Sequence, residues 1–577
     1  MDRTEATVEA MAPSPPIQAM DVTSLRAVLV EMRRGLLPSR FEKAQQPDAH
    51  RLQLGLRSLQ GTLWLELSWL AEAPRLLAID PPLRLGDGST LAQQLQHGLR
   101  GLALVSLEQL GWERVVTLGF APRPGEPIAR QLVLEVMGRH SNLFLLDGDG
   151  RVITLARQVR QDRSRLRPIG TGDAYGPPPP MAGEPPRLQE DFASWQRRLA
   201  LLPQTVGQAL MGAYQGVGPA LARQLAGPWL PLAVQTLQAE QWQGLWQRWR
   251  LWLETVDQEG FALGWGGPSD YRCWDPGAAA SVPAAWAINR GLAGYYADRL
   301  GRRELEQRRA SLRQRLQNAA VRERRNADQQ QALLAAVPGS EAMQRRADGL
   351  LSLPAPSRDA IDEAQRLYRQ ARKLRRSVAA ITPRLELHQQ RLAAIDTSLT
   401  FVEQAENEAQ LAAVEEDLPA LLPSRDGKGP GPSRRTRRGP AGSAPSPLEL
   451  RSSGGLRLQV GRNHRQNEWI SLQQARRGDL WFHAQECPGS HVVLKGSEGT
   501  PSDEDLREAA DLAAHFSRGR ANGRVAVVMV PTGDLQRIAG AGPGTVRHRG
   551  GDVLWAVPER AAGLLVEPPR LPGTERP

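Results

Sequence analysis

Two cysteines, Cys273 and Cys487, are all that the 577 residues contain, and they stand far apart, outside any Cys-x-x-Cys pair. A disulfide-stapled scaffold and a cysteine-bound structural zinc are therefore not expected. No stretch approaches the roughly 18 apolar residues of a membrane-spanning helix. Residues 1–19 carry acids and prolines but no apolar leader segment. These gaps predict a cytosolic chain with no membrane partner. Recognisable chemistry is equally sparse: no His-Glu-x-x-His, no Gly-x-Ser-x-Gly elbow and no Walker loop occurs. His464, His483 and His491 are spaced too loosely, and in loop-like sequence, for a metal site. Cys487 follows Glu486, whose charge raises a thiol pKa rather than activating the sulfur. Neither a nucleophile nor a metal nor a cofactor is expected.

What the chain has in excess is positive charge: 73 Lys and Arg against 62 Asp and Glu, a net +11. Such an excess attracts polyanions, nucleic acid first and an anionic membrane surface second. A genome that favours arginine would raise the same number, so charge alone only points. With 41% apolar residues, a chain of this length folds as several domains.

The expected architecture is multidomain α+β. Residues 1–19 read as a disordered extension, and 20–180 as a mixed α/β domain. Asp21-Val22-Thr23-Ser24 offers N-caps for a helix from Leu25 to Met32. Strand patterns lie at Arg51–Leu56, Thr62–Ser68 and Arg75–Ile79, and a helix at Leu91–Leu99. Strands resume at Val105–Leu107 and Arg114–Leu118 and continue to Leu155. The densest polar stretch, Glu135 to Asn142, falls among them. Residues 190–285 read as helical. There Gly216-Val217-Gly218-Pro219 resembles a helix-hairpin-helix turn whose free N–H groups can hold a phosphate, although an ordinary αα turn fits the same residues.

Residues 289–420 read as an antiparallel coiled-coil arm. Its outgoing helix is expected at Arg302–Ala336, with Leu305, Leu312, Ala319 and Leu333 at heptad spacing. A break at Pro338-Gly339 and a return helix from Asp359 to Ala405, interrupted near Pro383, complete it. On that return helix Arg366, Arg369, Arg372, Lys373, Arg375 and Arg376 oppose the stripe Leu367, Ala371, Leu374 and Val378. A solvated face is the plainer explanation, but no acid stands between Glu363 and Arg376 to balance the charge, which favours RNA. Residues 421–447 form a basic Gly/Pro/Ser linker. The last domain, 448–570, is a small α/β unit holding five of the nine histidines. Strands are expected at Leu456–Val460 and Val525–Val530, with Ser502 and Asp505 as a capping box. Arg462, Asn463, Gln466, Asn467, Trp481, His483 and His491 are cationic, hydrogen-bonding and stacking groups suited to phosphates, ribose and splayed bases. Strand alternation would leave one of Trp481 and Phe482 in the core.

Four ordered segments carry a family resemblance. They are Asp21-Val22, Glu135–Asn142 with the apolar strand after it, Gln365–Arg376, and the run Gly461–Glu468, Asp479–Ala484 and Pro488–Leu494. Together they resemble the NFACT family. The resemblance implies a glycosylase-like first domain, a helix-hairpin-helix, an arm lying on ribosomal RNA and a terminal RNA-binding domain. It implies a non-enzymatic, monomeric factor of ribosome-associated quality control. Such a factor would bind the 50S subunit and its 23S rRNA while peptidyl-tRNA and a stalled nascent chain remain attached. It would recruit charged tRNA, chiefly tRNA-Ala, for mRNA-independent alanine tailing that marks the chain for degradation. The tRNA-handling positions would be Asp21, Glu113, Arg114, Glu135, Arg139, His140, Ser141 and Asn142, although Arg139 could equally pair with Glu135. Glu113 stands where the family has Asp, one methylene longer. Two other functions are weighed: a fibronectin-binding surface adhesin, opposed by the Arg-rich arm and the lack of a leader or anchor, and a DNA-repair glycosylase, opposed by the lack of an N-terminal Pro-Glu and a zinc finger.

Overall fold

The computed structural model describes residues 17–85, 88–160, 167–267, 270–275, 277, 285–421, 445–538 and 541–565. Residues 1–16 of the expected extension and 422–444 of the expected linker lie outside these. The chain divides into two compact units, Met1–Arg303 and Glu304–Pro577.

In the first unit Asp21 caps helix α1 (Val22–Leu36), which buries Leu25, Val28, Leu29 and Met32 at helical spacing. The helix packs on a nine-stranded sheet. Its strands are β1 (Ser39–Asp48), β2 (Arg51–Ser58), β3 (Gly61–Ser68) and β4 (Arg75–Ile79), then, after helix α2 (Thr90–Gly98), β5 (Ala103–Gln109), β6 (Val115–Ala121), β7 (Arg130–Glu135), β8 (Asn142–Leu146) and β9 (Val152–Leu155). The order β4-β3-β2-β1-β5-β6-β7-β8-β9 is two antiparallel meanders, joined where Ser39 and Arg40 of β1 pair with Leu104 and Ala103 of β5. The polar strand β1 was not expected. Its sequence hides it because the exposed Arg40 and Glu42 alternate with the buried Ser39 and Phe41.

Helices α3 (Phe192–Leu199), α4 (Val206–Ala213), α5 (Pro219–Ala226) and α6 (Ala239–Asp257) follow, with a small hairpin, β10 (Gly264–Gly267) and β11 (Asp270–Arg272), that the helical reading missed. One hydrophobic core runs through the sheet and these helices, from Leu25 and Leu118 to Trp195, Trp249 and Trp252. Tryptophans at helical spacing on α6 supply its centre: the Trp249 ring lies 5.0 Å from Trp252 and 6.0 Å from Trp195. The expected extension also ends earlier than residue 19. Gln18 is buried, donating from its amide to the Tyr271 carbonyl at 2.9 Å while its own carbonyl accepts from the Tyr296 hydroxyl at 2.9 Å.

The arm begins inside this unit. Helix α7 (Ala287–Ala335) is 49 residues long and starts well before the expected Arg302. The Glu31 carboxylate accepts the free N–H groups of Ile288 at 3.0 Å and Asn289 at 2.9 Å. Negative charge at a helix N-terminus is favourable, and these donors would otherwise lack partners. Asn289, fully buried, donates to Glu31 and to the Val28 carbonyl and accepts from the Ala78 amide of β4 at 2.8 Å. One side chain thus ties the first turn of α7 to both α1 and the sheet.

In the second unit α7 continues, followed by α8 (Gly339–Leu351), α9 (Arg358–Gln404) and α10 (Glu408–Leu421). The contacts of Glu323 with His388, Arg313 with Glu403 and Arg309 with the Ala405 carbonyl make α7 and α9 antiparallel. Leu312, Leu316 and Ala319 meet Ile395, Phe401 and Val402 in their seam, closed by Leu411, Val414 and Leu418 of α10. Leu333 of the expected heptad is exposed instead, because α8 rather than α7 lies against the far part of α9. Pro383 does not interrupt α9. It sits on the exposed side, where the carbonyl left without a donor can be hydrated.

A six-stranded antiparallel sheet completes this unit. It contains β12 (Leu448–Arg451), β13 (Arg457–Val460), and, after the short helix α11 (His464–Glu468), β14 (Leu480–Ala484) and β15 (Val492–Leu494). Helix α12 (Asp503–His515), with the expected Ser502/Asp505 capping box, precedes β16 (Val525–Pro531). A hairpin of β17 (Leu535–Arg537) and β18 (Val546–His548) leads to β19 (Asp552–Ala556) at the sheet's edge, in the order β12-β13-β15-β14-β16-β19. Phe482 and Val527 pack beneath α12, whereas Trp481, Val528 and Val530 pack with Ile470 and Leu535 on the other face. Both Trp481 and Phe482 are therefore core, contrary to the alternation argument, because this sheet is covered on both faces.

Replacing Asn289 with Ala strands the Ala78 amide in the core and removes a donor from Glu31. We expect a loss of about 2–3 kcal/mol, measured as lowered hydrogen-exchange protection in α1 and β4; unchanged protection would show that the anchor contributes nothing.

Candidate nucleic-acid interface

At the start of α1, Asp21 Oδ1 accepts from the Ser24 amide at 2.8 Å and the Ser24 hydroxyl at 2.6 Å. Burial pushes its carboxyl up, against those hydrogen bonds and the charge of Arg114. Arg114, half-buried at the foot of β6, has no hydrogen bond or ion pair from its guanidinium among the described residues. Burial pulls its pKa down, offset by Asp21 and Glu113. Glu113 turns inward, accepting from the Met181 amide at 2.7 Å. Beside them Arg26 donates to the Gly111 carbonyl at 2.7 Å and lies 4.1 Å over the Trp112 ring. The turn between α4 and α5 closes the group. Gly216 has φ of 78°, and a Cβ there would stand 3.1 Å from Trp112 and 3.4 Å from Val22. Only glycine combines that backbone with such close approach. Gly218 then caps α5, with Pro219 as its first residue. Asp21, Arg26, Trp112, Arg114 and the turn Gly216–Gly218 thus converge on one place. A desolvated guanidinium that makes no direct ion pair among the described residues, next to a helix start, has N–H groups open to a phosphate or carboxylate oxygen.

The Glu135–Asn142 stretch joins this group through one bond, the Val136 amide donating to the Arg114 carbonyl at 2.8 Å. Its residues divide. Glu135 is buried and takes a two-pronged ion pair from Arg167, 2.5 and 2.9 Å, plus the Tyr175 hydroxyl at 2.9 Å. Ser141 Oγ accepts from the Met137 amide at 2.8 Å. Asn142 donates to the Arg157 carbonyl at 2.7 Å and accepts from the Arg157 amide at 2.9 Å. The hydrogen bonds of these three side chains go to the loop and its neighbours. Arg139 and His140 are exposed, and Arg139 donates to His140 at 3.1 Å rather than pairing with Glu135. Arg157, also exposed, holds the Arg139 carbonyl at 2.7 Å.

In the second unit all six basic side chains of α9, Arg366, Arg369, Arg372, Lys373, Arg375 and Arg376, are exposed. None has an acidic partner among the described residues; Glu363, just upstream, is taken by Arg346 at 2.7 Å. Ala364 and Ala371 are buried on the opposite face.

The residues expected to bind RNA in the last domain are mostly occupied. Arg462 pairs with Glu406 at 3.4 Å and lies 5.3 Å over Phe516. Arg465 pairs with the buried Asp417 at 2.9 Å. Asn463 caps α11 through the Gln466 amide, Gln466 accepts from the Arg462 amide, and Asn467 accepts from the His491 amide at 3.1 Å. His464, buried against Phe401, shares a 2.9 Å hydrogen bond with Ser398 of α9. This run fastens the domain to the base of the arm. His491 shares a hydrogen bond with Ser471 at 2.8 Å beneath Trp481, and half-buried His483 stacks on Trp481 with centroids 5.5 Å apart. Among the described residues no group of three or more His, Cys, Asp and Glu side chains could hold a metal, and no helix is long and apolar enough to cross a membrane.

The family model for NFACT N-terminal and middle domains matches residues 21–355 and 352–430, and that for the NFACT protein RNA binding domain matches 448–550. The chain belongs to the NFACT family. Proteins named Rqc2 homolog RqcH match this NFACT chain along nearly its whole length. That of Streptococcus pneumoniae serotype 2 is 25% identical, over 93% of this chain and 97% of its own. That of Bacillus subtilis is 23% identical, over 92% and 96%. Among solved structures, the C-terminal part of the fibronectin/fibrinogen-binding protein from Streptococcus suis overlaps at TM-score 0.37 and 27% identity, covering 45% of this chain and 98% of its own. The N-terminal domain of fibronectin-binding protein PavA from Streptococcus pneumoniae overlaps at 0.33 and 21%, covering 48% and 99%. Neither overlap is high enough to carry a functional conclusion.

Sequence reasoning missed Arg26, Trp112 and Arg157 in this NFACT chain. The composition of Arg26-rich α1, with Arg33 and Arg34 further along, was the available signal for the first. Arg114→Met removes a charge that makes no direct ion pair and only feels the field of Asp21 and Glu113, so we expect a smaller loss of stability than at a paired site. Glu135→Gln leaves Arg167 without its carboxylate and costs about 2–3 kcal/mol, less than for a fully buried pair because Arg167 is partly solvated. Urea denaturation of both variants distinguishes them; equal costs would mean that Arg114 is structural after all.

Burial pushes His464 down from 6.5 to about 4. The unfolded chain therefore binds the extra proton between those pH values, and stability is full above 6.5 and falls as pH drops through the window. At pH 5 this site alone withdraws about 2 kcal/mol. We expect His464→Gln to flatten the pH dependence of second-unit unfolding between pH 7 and pH 5; an unchanged slope would refute the assignment.

Proposed function

We propose that the chain is a factor of ribosome-associated quality control. It binds the 50S subunit, through 23S rRNA, while obstructed peptidyl-tRNA remains there. It recruits charged tRNA, chiefly tRNA-Ala, so that the stalled chain receives a C-terminal alanine tail that marks it for degradation. The ribosome forms the peptide bond, and the protein acts in the cytoplasm as a monomer without chemistry of its own. The observation that carries this reading is a set of cations that, among the described residues, make no direct ion pair, in two places. One is Arg114, beside Asp21 and the glycine turn; the other is the basic face of α9. An unpaired, partly desolvated guanidinium is costly unless a ligand takes it up. Six exposed cations in a row suit a phosphate backbone and read no sequence. Membership of a family with an RNA-binding domain, and near full-length likeness to proteins named Rqc2 homolog RqcH, support the same reading.

Sedimentation of the chain with 50S particles carrying peptidyl-tRNA, followed by sequencing of the bound RNA, tests both halves. Neutralising Arg366, Arg369, Lys373 and Arg376 to Gln should abolish co-sedimentation, and raising salt from 50 to 200 mM should weaken the wild type roughly a thousandfold. Arg114→Met should keep 50S binding and lose tRNA. Wild-type 50S binding with no tRNA enrichment would sink the recruitment half.

A further inference from the structure

The fold leaves an unclaimed surface at the outer edge of the C-terminal sheet. Among the described residues strand β19 pairs only with β16, and along it Val553 is 49% and Trp555 67% exposed. The register places His483, Val528 and Val553 in one row across three strands, with Trp555 beside it opposite Ala526. Two strand spacings, about 10 Å, therefore separate the imidazole from the edge strand. Behind His483 lies Trp481, its ring nearly parallel at 7°, and the His548 ring stands 5.8 Å from Trp481. The Trp481 indole N–H is buried without a partner. Burial and nearby His548 keep His483 neutral at pH 7, so it offers an aromatic face rather than a charge. The rim is basic: Arg547, His548 and Arg549 are exposed, no acid follows until Asp552, and neither guanidinium has an ion pair among the described residues.

We propose that this face is a stacking platform for unpaired RNA bases, with Trp555 and His483 under the bases and Arg547 and Arg549 on the phosphates. Flat aromatic groups on a sheet with cations at the margin are what single-stranded RNA requires, since every base has a π-face and every linkage a charge. A duplex, its bases already stacked, gains nothing from Trp555. Self-association through β19 is the poorer occupant, because the edge is only five residues long. The assignment rests on the RNA-binding reading of this domain and specifies which form of RNA it takes.

Fluorescence anisotropy of the intact chain with two probes, a short single-stranded RNA and a duplex of the same composition, tests it. Trp555→Ala should weaken single-strand binding about tenfold and leave duplex binding unchanged. Trp555→Phe should restore most of the loss. Arg547→Gln should lower the salt slope of single-strand binding by about one. Because Trp555 is exposed, the Ala variant should melt with wild type. Single-strand affinity unchanged in Trp555→Ala overturns the platform even if RNA binding holds. Wild type binding neither probe overturns the RNA reading itself. A change in oligomeric state with unchanged RNA affinity assigns the edge to self-association and overturns the platform.

Discussion

The carboxylate of Glu31 holds the first turn of α7, and the long helix depends on that hold. A 49-residue helix with many exposed arginines has little intrinsic reason to begin where it does. Ile288 and Asn289 present free N–H groups, and Glu31 supplies both acceptors at once. Asn289 then spends each of its side-chain hydrogen-bonding groups on α1 and β4. Fixing the start also fixes the phase of everything downstream.

Legibility followed the reach of each interaction along the chain. Asp21 as N-cap, the Ser502/Asp505 box and the unbalanced basic face of α9 are local patterns and could be read directly. The role of Glu135 could not, because its partner Arg167 lies 32 residues away and reaches it only after the sheet has formed. The internal partners of the run from Arg462 to Asn467 were hidden for the same reason. Its groups look like ligand-binding groups until Glu406, Asp417 and Ser398 arrive from the arm to occupy them. Strand β1 escaped because only one of its faces is apolar at all. Trp481 was underrated because alternation assumes a sheet with one dry face, and this one has two.

The same comparison separates two kinds of polar residue that look alike in sequence. Asn142, Ser141 and Asn467 close turns, and their hydrogen bonds are used up internally. Arg114, Arg139 and the α9 cations are not used up in this way by any acid among the described residues. Shared family motifs mix both kinds, so a motif position marks what the fold needs as often as what the partner needs.

The α9 cations have one more consequence. Arg366, Arg369, Lys373 and Arg376 recur at three- and four-residue steps, so they stand on one side of the helix over about 15 Å. Such a rail has no polarity that a phosphate chain could sense and no group that reaches a base edge. It grips without choosing, as a handle does. A rail of this kind carries no means of telling one nucleic acid from another.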